Sequence, residues 1–462
     1  IKDMLQNSDS LDRVVGNIRS AAFAWYLGAN LKTAVVNLTQ NVLVGLPRLQ
    51  MDIVGSAGYW SGAQKAIQAI VHKGKADALS TDEARLFNEL VQEDIINDAF
   101  MEEVRGRVTG ISGAAMWNKT LKYMGWFMSV GERFNRASLA LAAFRAAREG
   151  KLKQAARVRF GIEDGQKASY EQAKAFAEEV VRDAHFVYGK ANTPEFLRST
   201  AAGRSLAAAY TFRTFSHNLL GLWRWALETQ GREGRIFFGK SVAATLLLGG
   251  LTSIPFYATA MVLCQTASGD DDDWTEIIRK FVTKYLSDSD LARDMACYGL
   301  PAIAGVNIGG SLKLETPLTQ GLSRGGTPKD VLTNSIGDLF GIPYDLFIVK
   351  PSKVMEAMGK GNTWRAVEEV SPTVMKNALS AWRLVTEGQT TVSGNAINNP
   401  GQKGARKLTH LEGFGKLLGF QPVSNTKSFD RYHANQHADD VRSDKINAVT
   451  VAMLKAKEAN NL

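Results

Sequence analysis

Apolar residues recur along this chain at steps of three and four positions, the spacing that places them on one face of an α-helix. The clearest stripes are Leu11, Val14, Val15, Ile18, Ala22 and Trp25, and then Phe212, Phe215, Leu219, Leu222 and Leu227. Strand-like alternation bounded by turn residues is scarce. The pattern predicts an all-α fold of many medium-length helices, with more than ~55% helix and less than ~5% strand, against base rates near ~33% and ~22%.

Local capping signals predict several helix ends. Two pairs have the spacing of a capping box, in which a hydroxyl and a carboxylate each satisfy a backbone amide: Ser80/Glu83 and Thr409/Glu412. Three further predicted starts are the dipeptides Thr193–Pro194, Thr327–Pro328 and Ser371–Pro372. Predicted stops are the glycines Gly150, Gly341 and Gly388. The longest helix is predicted to run from about Ala114 to Glu149.

Two changes in composition divide the chain into three predicted regions. Residues 1–190 hold Ala-rich amphipathic helices. Residues 191–320 are apolar and aromatic, with uncharged runs at their centre. Residues 321–462 alternate short helices with Gly/Pro loops and end in a polar helix from about Lys427.

The segment 241–264 carries no formal charge, although 22% of the whole chain is charged. As one helix it would be about 36 Å long, which exceeds the ~30 Å hydrocarbon core of a bilayer. Basic residues precede it and Asp270–Asp273 follow it, which is the charge order of a helix whose first end is cytoplasmic. However, Gly249–Gly250 and Pro255 are typical of a broken, buried helical hairpin. The segment is therefore predicted to be either membrane-capable or a core hairpin.

The candidate membrane or core residues of this segment are Leu246, Leu247, Leu248, Ile254, Phe256 and Met261. Just before it, aromatic residues accompany Arg213 and Arg224, a combination that can stack on single-stranded nucleic acid. Their helical spacing favours packing or oligomer contacts instead. The candidate packing residues are Phe212, Phe215, Trp223 and Trp225.

Composition narrows the function classes only slightly. The chain has 462 residues, 45% of them hydrophobic, and a formal charge of +9, which favours contact with nucleic acid or anionic lipid. It has two cysteines and no CxxC pair, so neither a disulfide framework nor structural zinc is predicted. It begins at Ile1 without a recognisable secretory signal, and we interpret it as a processed or excised part of a longer chain.

Candidate chemistry is sparse, and each candidate lacks a required partner. His433 and His437 are four residues apart and could share a metal, but no third ligand follows the pattern. The run Asp270–Asp273 lacks the spacing of a calcium loop. Glu132 lies beside arginines that favour its ionised form, and His217 is predicted to be a core or interface histidine. We therefore predict no metal, no cofactor and no enzymatic activity.

A succession of segments carries a resemblance to a known family. They are "NTPEFLRSTAAGRSLAAAYTFRTFSHN", "GGLTSIPF", "YGLPAIAGVNIGGSL", "FGIPYDLF", "SPTVMKNALSAWRLVTEGQTTVSG" and "LGFQP", which span Asn192–Val423. In this order they resemble the C-terminal region of the large polyvalent proteins of tailed bacteriophages, among which are internal virion proteins ejected with the genome. The resemblance implies a helical, non-catalytic module carried in the virion, and it supplies no catalytic residues.

The expected function is accordingly that of an internal virion, or ejection, protein that assists genome delivery by assembly and by membrane or channel formation. Its expected partners are other virion core proteins, further copies of itself, phage DNA, and the host membrane after ejection. The expected location is the capsid interior and then the host envelope. Two alternatives are a capsid-core or portal-associated protein that stays in the particle, and a non-catalytic module of a larger polyvalent enzyme.

Overall fold

The structure is a computed structural model, and it confirms the predicted all-α class. Of the described residues, 78% lie in helices. The described residues are 10–55, 57–71, 79–97, 114–186, 200, 203, 214–253, 283–285, 289–309, 345–391, 394–397 and 405–460.

Nine α-helices form the N-terminal part of the described chain. They are α1 (Ser10–Tyr26), α2 (Leu31–Leu38), α3 (Leu46–Asp52), α4 (Ala57–Val71), α5 (Thr81–Gln92), α6 (Ala114–Met124), α7 (Trp126–Arg148), α8 (Gln154–Arg159) and α9 (Tyr170–His185). A short π-helical turn, Asn41–Gly45, leads into α3. The predicted helix over 114–149 is thus divided at Gly125, because that residue ends one hydrogen-bonded run and begins the next.

The later helices have 8 to 19 residues, apart from the last, which has 38. They are α10 (Thr214–Thr229), α11 (Gly231–Gly249), α12 (Asp290–Tyr298), α13 (Lys350–Gly359), α14 (Thr363–Val370), α15 (Thr373–Thr386), α16 (His410–Leu417) and α17 (Val423–Asn460). Two 3-10 turns, Leu251–Ser253 and Leu300–Ala304, and a π-helical turn, Asp345–Val349, complete the helical elements. Strands β1 (Val306–Asn307) and β2 (Gln421–Pro422) pair antiparallel, with Val306 opposite Pro422.

Several local predictions are confirmed. Ser80 and Thr409 close complete capping boxes at the starts of α5 and α16. Gly150 and Gly388 adopt positive φ after α7 and α15. The start predicted at Ser371 lies one residue later, because Pro372 itself is the N-cap of α15. The dipeptides Thr193–Pro194 and Thr327–Pro328 and the stop at Gly341 lie outside the described residues.

Helix α7 is the centre of the main core, with α4 and α9 packed along it. Its alanines are almost fully buried, and they let the neighbouring helices approach closely. At Gly62 of α4, an added Cβ would lie 2.8 Å from the backbone of Ser138 and Ala142. The same core includes Leu219 and Phe237, so α10 and α11 pack on the N-terminal helices across the predicted boundary at residue 190.

The N-terminal helices are joined by a buried ion-pair network around Arg48. Its guanidinium is fully buried and contacts Asp52 at 2.6 Å, Glu179 at 3.0 Å and Asp183 at 2.8 Å. Arg159 of α8 extends the network, because it also pairs with Asp52 and Glu179. A buried charge is tolerated only with such partners, so the network fixes α3, α8 and α9 relative to one another.

Arg48→Ala is expected to lower the free energy of unfolding by about 3 kcal/mol, because the substitution leaves Asp52 buried with one cation fewer. Denaturant unfolding followed by circular dichroism measures this change. Arg224→Ala is the matched control: Arg224 forms an exposed pair with Glu228, and its loss is expected to change stability far less. Equal effects of the two substitutions would contradict the assigned importance of the network.

Two glycines bring the ends of α11 and α12 together. Gly250 follows α11 at φ +67, ψ −170, and Gly299 follows α12 at φ +78, ψ −175. This region of φ/ψ space is accessible essentially to glycine alone. An added Cβ at either glycine would overlap the backbone of the opposite segment, Cys297 in one case and Leu248 in the other. The two helix ends therefore pack backbone to backbone.

Gly250→Ala is expected to destabilise the chain by about 2–4 kcal/mol, since it adds both backbone strain and a steric overlap. Gly305→Ala is the control. Gly305 also has a positive φ, but open space surrounds it, so only the backbone cost of about 1 kcal/mol is expected. Thermal or denaturant unfolding compares the two; a smaller loss for Gly250→Ala than for Gly305→Ala would refute the close packing.

Candidate functional site

The uncharged segment 241–264 does not form one continuous helix. Helix α11 ends at Gly249, and Gly250 turns the chain into the 3-10 turn Leu251–Ser253. Leu246 and Leu248 are partly buried, whereas Leu247 is 52% exposed and therefore lies outside the core. None of the helices in the described ranges is both long and apolar enough to span a bilayer. The candidates Ile254, Phe256 and Met261 lie outside the described residues.

The solvent side of α11 changes character along its length. Arg232, Ile236, Lys240, Ala243 and Leu247 are exposed and follow one another at intervals of three or four residues, so they lie on one face. The first half of this face carries the cations, and the second half is uncharged. The face therefore has a basic end and an apolar end.

The candidate aromatic residues lie between helices. Trp223 is buried, donates its indole N–H to Ser241 at 2.9 Å and packs edge-to-face against Phe238. Phe215 is partly buried and packs edge-to-face against Phe186. Trp225 lies under the Arg48 guanidinium, 5.9 Å from the ring centroid. Phe212 lies outside the described residues.

The other candidate residues do not assemble into a site in the part of the chain that the structure describes. Glu132 is buried in α7, 3.1 Å from Arg136, and His217 is exposed on α10 and is not a core residue. His433 and His437 belong to α17, at positions whose side chains lie outside the described set. Asp270–Asp273 lie outside the described residues. The described residues contain no group of three or more potential metal ligands.

The most unusual cluster of charges was not predicted from the sequence. Four lysines converge where the N-terminal helices meet the C-terminal ones, and we call this cluster the basic junction: Lys32, Lys350, Lys376 and Lys416. These lysines come from α2, α13, α15 and α16. Their spacing along the chain follows no pattern, because the contact between distant helices alone brings them together.

The elements of the basic junction approach closely. An added Cβ on Gly419, just after α16, would contact Asn30, Lys32 and Asn377, so the end of α16 lies against the starts of α2 and α15. Lys350 lies over the rings of Trp25 and Tyr26, 5.3 Å and 4.9 Å from their centroids. The cluster therefore joins α1 and α2 to the C-terminal helices.

The electrostatics of the basic junction are unfavourable to its own cations. Burial, together with Lys32 and Lys376, lowers the pKa of Lys416 to about 8. Burial also lowers the pKa of Lys32, and burial and Lys376 lower that of Lys350. Lys416 donates to Gln421 at 2.9 Å, a neutral partner that leaves the charge uncompensated.

Of the nearby carboxylates, one pairs with two arginines and one is shared between Arg365 and Lys376 of the junction. Glu368 is fully buried and accepts from Arg383 at 2.6 Å and from Arg365 at 2.6 Å. Glu369 pairs with Lys376 at 2.6 Å and Arg365 at 3.3 Å. The basic junction thus has an excess of positive charge, and a bound phosphate or carboxylate would relieve the repulsion among its lysines.

No protein-family model, curated protein or solved structure matches this chain.

Lys416→Met is expected to raise the free energy of unfolding at pH 7 by roughly 1–3 kcal/mol, because it removes a cation whose native pKa is depressed. Between pH 8 and about 10.4 the unfolded chain binds more protons than the native chain, so the stability of the wild type rises with pH. The advantage of the variant should therefore shrink over this window. Denaturant unfolding at several pH values measures it.

Lys360→Met is the control for this series. Lys360 directly follows α13, is exposed and pairs with Glu356 of that helix, so its replacement is expected to change stability little at any of these pH values. A Lys416→Met variant that is less stable than the wild type at pH 7 would contradict the inference that the buried charge of Lys416 destabilises the native state.

Proposed function

We propose that this chain is an internal virion protein of a tailed bacteriophage, ejected with the genome, that assists genome delivery across the host envelope. It works by assembly and by membrane or channel formation, without catalysis. The resemblance over Asn192–Val423 supports this function. The observation that carries it is the exposed face of α11, which changes from basic at Arg232 and Lys240 to apolar at Leu247.

The basic end of this face suits phosphate groups of DNA or lipid, and its apolar end suits contact with lipid or with a second copy. Because α11 ends at Gly249, one copy does not provide a continuous helix over the whole uncharged run, so a channel is built from several copies. Other virion core proteins are the partners inside the capsid. Phage DNA and the host membrane are the partners during ejection.

The ion-pair networks and the glycine contact suit a rigid helical body that keeps its shape during transfer. Arg48 and Arg383 each bury a guanidinium against carboxylates, one in the N-terminal helices and one in the C-terminal helices. Such networks resist local opening, because separating the helices would leave buried charges unpaired. The function therefore resides in the surfaces of the helices.

Leu247→Ser tests this function. Leu247 is exposed, so the substitution is expected to change stability by about 0.5 kcal/mol or less and to leave particle assembly near normal. Genome delivery is expected to fall, since the apolar end of the face is lost. Infected cells are fractionated, the chain is followed into the envelope fraction, and delivery is scored by genome entry.

Val158→Ser is the matched control, because Val158 is also an exposed apolar residue and lies on a different helix, α8. It is expected to leave delivery unchanged. If the wild-type chain stays with the emptied particle and never reaches the envelope, ejection is wrong and the chain is a capsid-core or portal-associated protein.

A further inference from the structure

Helices α6 and α7 form one nearly continuous rod across Gly125. Gly125 departs from regular helical angles, with φ −85 and ψ −1, but the hydrogen-bond pattern continues across it: its N–H donates to Leu121 at 2.8 Å, and its carbonyl accepts from Ser129 at 2.9 Å. Residues on the two helices can therefore share a face. The part from 116 to 130 is about 21 Å long.

One side of this rod is buried against α1. Leu121 is fully buried with Phe23, and Trp117, Met124 and Met128 pack around them. Trp117 also donates its indole N–H to Ser20 at 3.2 Å. On this side the rod is therefore packed against its own chain.

The rest of the rod is exposed and forms two parallel rows, one mainly apolar and one that carries two lysines. The first row is Met116, Thr120, Tyr123, Phe127 and Val130, spaced by four, three, four and three residues. The second row is Lys119, Lys122 and Trp126, spaced by three and four residues. All eight side chains are exposed, with Tyr123 at 69% and Trp126 at 57%. We call this surface the α6–α7 face.

An apolar surface of this extent on one helix is unusual for a surface that faces only water. The rings of Trp126 and Phe127 pack edge-to-face at 5.0 Å, so they present one aromatic block. Leu38 extends the surface, because an added Cβ at Gly131 would lie 3.8 Å from its Cδ2. The α6–α7 face therefore has the composition of a binding surface.

Charge decides between its possible occupants. The range 114–131 holds two charged residues, Lys119 and Lys122, and both are basic. A second copy of the same face would contribute only further lysines, so like charges would meet. An anionic lipid surface supplies the complementary charge. Tyr and Trp are the side chains enriched at the lipid–water boundary, and lysine can bury its stem while its ammonium reaches the headgroups.

We propose that the α6–α7 face binds the surface of an anionic bilayer. Its first row and Trp126 then lie in the headgroup region, and Lys119 and Lys122 contact lipid phosphates. The rod then lies in the plane of the membrane and does not cross it. This inference rests on the proposed function and deepens it, because it assigns first lipid contact to the N-terminal helices and not to α11.

The test is flotation of the purified full chain with vesicles of phosphatidylglycerol and phosphatidylcholine in equal parts. The wild type is expected to float with these vesicles and not with pure phosphatidylcholine. Tyr123→Ser with Phe127→Ser is expected to reduce partitioning at least about tenfold. Lys119→Gln and Lys122→Gln are each expected to reduce it about fivefold and to weaken its dependence on salt.

Trp382→Ser is the matched control, because Trp382 is 68% exposed on α15, away from the α6–α7 face. It is expected to partition within about twofold of the wild type. All variants change exposed residues, so an unchanged thermal unfolding midpoint for each one separates lost binding from lost folding.

Several outcomes would overturn the inference. The double variant could float like the wild type, or it could lose no more vesicle binding than Trp382→Ser does. A third outcome is that the wild type is a dimer by analytical ultracentrifugation, that the double variant is a monomer, and that neither protein binds vesicles. If Leu247→Ser alone releases the chain from vesicles, the inference fails and the proposed function stands. If the wild type neither floats nor reaches the host envelope, both fail.

Discussion

The buried charge of Arg48 is the constraint on which the N-terminal half of the structure depends. A guanidinium without solvent needs carboxylates around it, and here they come from α3 and α9, with Arg159 of α8 sharing them. The ring of Trp225 covers the same group, so α10 is positioned by it as well. Helix α7 buries six alanines beside Leu139, Leu141 and Phe144, so its neighbours can approach it closely.

The close packing at Gly250 and Gly299 determines where the end of α11 lies. Backbones approach closely there because neither residue has a side chain, and both adopt dihedral angles that other residues avoid. The consequence is that the uncharged run turns after Gly249. The same two glycines join it to the end of α12, where Cys297 and Tyr298 form a small separate core with Val423.

The two halves of the described chain meet at the basic junction, where lysines from four helices lie together at a cost in electrostatic energy. The buried guanidiniums, in contrast, are paired closely, as Arg383 is with Glu368 and Arg48 is with Asp52. Unfavourable charge in one place and exposed apolar surface in another, on α6–α7 and α11, distinguish the surfaces proposed to contact partners from the parts that hold the fold. The proposed delivery function uses these surfaces and leaves the ion-pair networks and the packed core unchanged.

The sequence by itself determined the all-α class and many helix ends, because those depend on interactions within a few residues. The capping boxes at Ser80 and Thr409 and the glycine stop at Gly150 are of this kind. Tertiary structure alone decided the basic junction, since Lys32 and Lys416 are distant in the chain. It also decided which side of α6 is buried: both sides are apolar in sequence, and only the contact of Leu121 with Phe23 leaves Tyr123 facing outward.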